Sequence, residues 1–184
     1  MESFLRQAVF LDRDGTINVD KDYLYRWEDF EYINGAVEGM EKLCRLGYIL
    51  VVITNQSGIA RGYYSEEDFH TLNERMVNDL RNRGVMISGV YYCPHYKRGM
   101  VAKYAIECCC RKPGTQLFWK AKQELGINME KSFCIGDKLR DLAICDESEV
   151  KGILLGGTES QNVKDEIMIC ENLRMAADYI ERQR

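Results

Sequence analysis

The chain lacks any apolar run approaching the roughly 20 residues that a membrane-spanning helix needs. It lacks excess positive charge: over 184 residues the net charge is −4. Nothing general therefore draws it to nucleic acid or to an anionic membrane surface. It also lacks an internal repeat, a low-complexity tract and an interdomain linker. The opening stretch, Met-Glu-Ser-Phe-Leu-Arg-Gln, has no apolar segment of the kind a secretory leader carries. These absences predict a cytoplasmic protein of one domain, residues 1–184, with no nucleic-acid or membrane partner; a monomer is expected. What is present suits that class. Hydrophobic residues make up 46% and charged residues 29% of the chain, enough for one core.

Cysteine is the exception, with eight in the chain. A cytoplasmic setting argues against disulfides. Cys44, Cys134, Cys145 and Cys170 sit singly in apolar patterns and read as buried thiols. The other four, Cys93, Cys108, Cys109 and Cys110, gather around His95. Cys93-x-His95, twelve intervening residues and Cys108-x-Cys110 offer three thiolates and one imidazole. Such a set is closed and tetrahedral, so Cys93, His95, Cys108 and Cys110 are predicted to hold a structural zinc ion. Cys109 adds a further thiol between two of those ligands. A loop of free thiols with a surface histidine is the alternative.

The chain is organised around Ala8-Val-Phe-Leu-Asp12-Arg-Asp14-Gly15-Thr16. Four apolar residues running into polar ones are what a strand buried on both faces looks like. Residues i and i+2 of an extended chain point the same way, so Asp12 and Asp14 are expected to share one side of the strand's carboxyl end. Two adjoining carboxylates need a cation or a proton between them, and magnesium, which prefers oxygen ligands, fits. A lone Asp-x-Asp also opens many solvated turns. A calcium loop is a poor match, because it wants glycine at the sixth and glutamate at the twelfth position, where this chain has Ile17 and Tyr23.

Beyond that stretch, strands and helices alternate. Helices are expected over 35–46, from Ser65, over 116–125, 140–147 and 173–180, and strands over 49–54, 89–92, 132–135, 152–155 and 167–170. Residues 18–33 read as a long polar-aromatic loop and 55–62 as a turn. The alternation predicts an α/β fold with a mainly parallel sheet between helices. Ligands in such folds bind outside the carboxyl ends of the strands. There the chain places Asp12 and Asp14, then Thr54 and Asn55, then Asp137, Lys138 and Asp141, with Lys112 arriving from the cysteine loop. Three carboxylates, a hydroxyl and a lysine suit a phosphoryl group bound with magnesium.

The order Asp-x-Asp-Gly-Thr, Thr54, Lys112, Gly136-Asp137-x-x-x-Asp141 resembles the haloacid dehalogenase superfamily of phosphotransferases. The longer strings Phe-Leu-Asp-Arg-Asp-Gly-Thr-Ile-Asn, Thr-Asn-Gln-Ser-Gly-Ile-Ala-Arg-Gly, Tyr-Tyr-Cys-Pro-His and Gly-Asp-Lys-Leu-x-Asp are similar to the D-glycero-D-manno-heptose 1,7-bisphosphate 7-phosphatase family, with histidinol phosphatases as kin. That resemblance implies a Rossmann-like three-layer sandwich without a large cap domain. It implies a magnesium-dependent phosphatase that acts on a small sugar phosphate through an aspartyl-phosphate, in ADP- or GDP-heptose biosynthesis. It makes Asp12 the nucleophile and Asp14 the general acid/base. Asp12, the backbone carbonyl of Asp14 and Asp137 are then magnesium ligands, and Thr54 and Lys112 steady the phosphoryl group. Asp20, Lys21, Asp22, Tyr23, Asn55, Gln56, Arg111 and Lys138 become substrate-binding. Histidinol phosphate or another small phosphate ester is the rival substrate, and a zinc-stapled interaction module the rival of another class. The zinc loop is expected to position Arg111 and Lys112. Its basic residues Lys97, Arg98 and Lys103 are expected to join Arg111 on the second phosphate of a bisphosphate, or else to form a solvated surface.

Overall fold

The computed structural model describes residues 5–156 and 164–184. The first four residues, part of the stretch read above for a leader, lie outside that range. Six strands form one sheet: β1 (Ala8–Leu11), β2 (Ile49–Asn55), β3 (Ile87–Cys93), β4 (Phe133–Gly136), β5 (Lys151–Leu155) and β6 (Met168–Cys170). Their order is β3-β2-β1-β4-β5-β6 and every pairing is parallel. The helices are α1 (Ala36–Arg45), α2 (Ser57–Arg61), α3 (Glu66–Asn82), α4 (Gln116–Leu125) and α5 (Leu173–Arg182).

β1 lies at the centre, and strand alternation divides its side chains between two cores. Val9 and Leu11 pack with residues of α1, α3 and α5, among them Met40, Met76 and Ala176. Ala8 and Phe10 pack on the other face with Phe118 and Ala121 of α4. Phe10 and Phe118 meet edge to face at 5.3 Å. Truncating either fully buried ring to alanine would cost about 3–5 kcal/mol. This is a three-layer α/β arrangement whose rigid centre ends at Leu11, one residue before Asp12.

The helix starts follow their residues. The Ser65 hydroxyl accepts a hydrogen bond from the Asp68 N–H at 3.0 Å, and the Asp68 carboxylate accepts one from the Ser65 N–H at 2.8 Å, a reciprocal cap on α3. Asn172 caps α5 in the same sense. One segment differs from expectation. Residues 55–62, read as a turn, contain the one-and-a-half-turn helix α2, too short to leave a readable period. It is closed by Gly62 at φ 76°. The short helix expected over 140–147 is a 3-10 helix, Leu139–Asp146. The Asp141 carboxylate accepts from the Lys138 N–H at 3.1 Å and so ties the first turn back on itself.

Candidate active site

β1 and β4 are neighbours, so their carboxyl ends deliver Asp12 and Asp137 side by side; the Asp12 N–H continues the ladder to the Ile135 carbonyl at 3.1 Å. With Asp141 from the 3-10 segment, these three acids place one oxygen each within 4.8 Å of one another. Lys112 reaches the same point, and its ammonium donates to Asp12 at 2.7 Å, to Asp141 at 2.8 Å and to the Ile53 carbonyl at 2.7 Å. Asn55 holds Lys112 in place by gripping its backbone twice, accepting from its N–H at 3.0 Å and donating to its carbonyl at 3.1 Å. Burial opposes the charge on Lys112, but the two carboxylates prevail and hold its ammonium well above the usual range.

The acids exceed the cation available to them. Burial pushes Asp12 up to about 7, with Lys112 pulling the other way and Asp141 and Asp14 adding to the rise. Burial and Asp141 also raise Asp137, whose Oδ1 is buried without a hydrogen-bond partner. Gly15 sits at φ 89°, and a Cβ there would overlap the Asp137 carboxylate. An orphaned carboxylate oxygen, two acids whose ionisation is disfavoured and an all-oxygen donor set fit a hard divalent cation. Asp141 belongs to this group and was not among the ligands expected from sequence.

Asp14 occupies a different environment. Its oxygens accept from Arg13 at 3.0 to 3.3 Å, from Asn18 at 3.0 Å and from Gln56 at 2.9 Å. Burial opposes its ionisation, but Arg13 and these hydrogen bonds outweigh it and hold Asp14 below the usual carboxylate range. Arg13 is only 1% exposed, with its guanidinium 5.6 Å from the Phe69 ring. Sequence reasoning passed over it as the residue between two acids. Gln56 also donates to the Thr54 hydroxyl at 2.8 Å and accepts from Tyr64 at 2.6 Å. One amide thus fixes Thr54 and Asp14 relative to each other.

A cleft of about 300 Å³ opens on these groups. Asp12, Asp14, Thr54 and Lys112 line it, as do Asp20, Asp22 and Tyr23 from the long loop and Asn55, Gln56, Arg111 and Lys138. Ser57, Arg61, Tyr64 and Arg140 line it too, and sequence reasoning gave none of them a role at the site. Asp22 and Tyr23 hold positive φ, 48° and 61°, a strain of order 1–3 kcal/mol each that such loops carry at functional sites. Lys21 does not line the cleft and pairs with Glu31 at 3.1 Å. The three basic residues of the cysteine loop also lie outside the cleft, as their alternative reading as a solvated surface has it. Lys97 pairs with Glu107 and Lys103 with Glu66, and neither they nor Arg98 line the cleft.

The loop between β3 and α4 carries the second cluster. The sulfurs of Cys93, Cys108 and Cys110 lie 3.2 to 3.5 Å apart, and His95 Nδ1 lies 3.3 Å from Cys110 and 3.7 Å from Cys93. Ligands about 2.3 Å from a tetrahedral zinc would be separated by about 3.8 Å, so this slightly contracted shell is the right size. Burial pushes the Cys110 thiol up to about 11 and Cys93 higher still. A cation there would relieve that cost by binding thiolate. Cys109 is exposed and outside the group.

Comparison with known proteins gives the family and the fold. Residues 7–149 match the family model described as polynucleotide kinase 3 phosphatase. The D-glycero-β-D-manno-heptose-1,7-bisphosphate 7-phosphatase of Pasteurella multocida is 40% identical over 176 residues, 96% of this chain and 91% of the relative. The chain belongs to the heptose bisphosphate phosphatase family of the haloacid dehalogenase superfamily. The member of that family from Photorhabdus laumondii is 50% identical over 135 residues, 73% of this chain and 72% of the relative. The fold matches the crystal structure of D,D-heptose 1,7-bisphosphate phosphatase from B. bronchiseptica complexed with magnesium and phosphate. Its TM-score is 0.85 at 23% identity, over 97% of this chain and 99% of that one. Among heptose bisphosphate phosphatases, this chain thus presents an acid-lined cleft beside a thiol-rich loop, joined through Arg111 and Lys112.

Proposed function

We propose that the protein removes the 7-phosphate of D-glycero-D-manno-heptose 1,7-bisphosphate, as one phosphatase domain spanning residues 1–184. The reading includes a step in ADP- or GDP-heptose biosynthesis, a cytoplasmic location and a monomeric state, with no nucleic-acid or membrane partner. The acidic balance of the chain supports the absence of a nucleic-acid partner. No helix among the described residues is long and apolar enough to cross a membrane.

In this reading the Asp12 carboxylate attacks phosphorus and the bond to the C7 oxygen breaks, leaving an aspartyl-phosphate. Asp14 protonates the departing alkoxide, then takes a proton from the water that hydrolyses the acyl phosphate. Asp14 is held ionised in the free site. A phosphate dianion beside it adds negative charge and lifts it toward the protonated form needed for the first step. Lys112 and Thr54 hold the transferring oxygens. Asp12, Asp137 and the Asp14 backbone carbonyl would hold magnesium, which when bound neutralises charge on the phosphoryl group. The zinc loop keeps Arg111 and Lys112 at the cleft.

The observation that carries the reading is the division of environments. Asp12 shares the lysine and the carboxylate group, while Asp14 is set apart by Arg13, Asn18 and Gln56. Two acids in contrasting surroundings suit two roles. A panel of both anomers of the bisphosphate, histidinol phosphate and other small phosphate esters tests it. The bisphosphate should give the highest kcat/KM, in a magnesium-dependent reaction. A preference for histidinol phosphate would replace the substrate and leave the chemistry intact. No release from any ester would remove both.

A further inference from the structure

Three arginines line the cleft, and they are held differently. Arg140 is exposed at the start of the 3-10 segment. Arg111 donates to the His95 carbonyl at 3.4 Å and stands 5.7 Å from the Tyr96 ring. Arg61, the last residue of α2, has its guanidinium carbon 3.8 Å from the centre of the Tyr96 ring and 5.6 Å from that of Tyr23. Its Nε is buried with no hydrogen-bond partner, and no carboxylate among the described residues pairs with it. Aromatic faces fix a guanidinium without neutralising it. The guanidinium also donates a hydrogen bond to the Tyr96 side chain, which brings no formal negative charge. A half-buried, immobilised guanidinium whose charge is not neutralised matches the geometry of a phosphate.

Both rings arrive on segments under constraint. Tyr23 comes from the loop after β1, at φ 61°. Tyr96 comes from the zinc loop, which hangs on α2: the Met100 and Val101 N–H groups both donate to the Ala60 carbonyl, at 2.7 and 2.9 Å. Gly99 permits that approach, because a Cβ there would run into Ala60. Arg61 thus sits where α2, the long loop and the zinc loop converge on the cleft.

We propose that Arg61 is a specificity residue: clamped by Tyr96 and Tyr23, it binds the second, non-reacting phosphate of a sugar bisphosphate. This rests on the bisphosphate reading above. It gives the zinc loop a role in substrate choice, through Tyr96, beside the positioning of Lys112. A monophosphate leaves the Arg61 charge without an anionic partner.

Steady-state kinetics on heptose 1,7-bisphosphate and heptose 7-phosphate test this with wild type, Arg61→Met and Arg61→Lys. Wild type should favour the bisphosphate through a lower KM. Arg61→Met should raise KM for the bisphosphate at least ten-fold more than for the 7-phosphate, and Arg61→Lys should recover part of the difference. Equal effects on the two substrates, or none on either, would overturn the proposal, as would a wild type indifferent to the second phosphate. Should Arg61→Met fail to fold, Arg61→Lys and Tyr96→Leu decide by the same ratio. A wild type that hydrolyses neither compound defeats the substrate reading and this proposal together. That result is separable from an Arg61 defect because it needs no variant.

Discussion

Two ligand clusters flank one cleft, and they are held in different ways. The carboxylates of Asp12 and Asp137 extend from adjacent central strands, so the sheet itself fixes them. The thiols and imidazole at 93–110 sit on a segment without helix or strand after β3 ends at Cys93. Its order comes from a few points: the four ligands, the two bonds to Ala60, and Glu66, which accepts from Tyr92 at 2.7 Å and from Tyr104. The donor sets differ to match. Asp12 and Asp141 of the oxygen cluster line a cleft, and Asp137, which does not line it, leaves a buried carboxylate oxygen unpartnered. The sulfur cluster is closed on itself. The core sets the position of Asp12, the proposed nucleophile, while coordination would hold the loop that carries the cations.

Damage at the two places should therefore look different. Asp12→Asn should lower phosphate release by roughly 10⁴-fold or more while the melting temperature holds or rises, because a buried carboxylate pushed up to about 7 is gone. Assay and thermal denaturation on one preparation check both. Arg13→Met should fall on the side of the fold. It takes the guanidinium from Asp14, which keeps its Asn18 and Gln56 donors, a loss of about 1–3 kcal/mol measured by denaturant unfolding, with some loss of turnover beside it. Zinc removal by chelation, or Cys110→Ser, should do the reverse of Arg13→Met. Turnover should fall roughly 10–100-fold, the scale seen when groups supporting a site are lost. Limited proteolysis should open the loop while the core unfolds near its usual midpoint. Global unfolding on chelation would erase the contrast between the clusters.

The smallest effect concerns the tie between loop and helix. Hydrogen bonds from Tyr104 and Tyr92 hold Glu66 below its usual range, against a small opposing effect of burial. Its contribution is present above the unfolded pKa and lost as pH falls through the lower folded one. Solvent exposure limits it to a few tenths of a kcal/mol. Glu66→Gln should flatten stability against pH on the acid side of about pH 4.5, read by unfolding at stepped pH.

The fold was legible because β1, β2 and β4 are short apolar runs leading into polar residues, and parallel sheets bury both faces of such runs. The Cys/His loop was legible because ligand spacing is chemical and local. What escaped notice depended on tertiary contacts. Arg13 reads as a surface cation until Phe69, Gln56 and Leu24 enclose it. Asn55 reads as a substrate contact, yet both ends of its amide grip the Lys112 backbone from 57 residues away. Charge alone put Lys97, Arg98 and Lys103 near a phosphate, whereas the cleft is lined by Arg61, from a helix too short to show a period.

The central claim is that Asp12 carries the phosphoryl group. Acid quench of enzyme turning over the bisphosphate, followed by borohydride reduction and peptide mass spectrometry, tests it directly. The account predicts homoserine at position 12, absent without substrate and absent in Asp12→Asn. Reduction at another residue, or unmodified Asp12 in an enzyme caught mid-turnover, would contradict it.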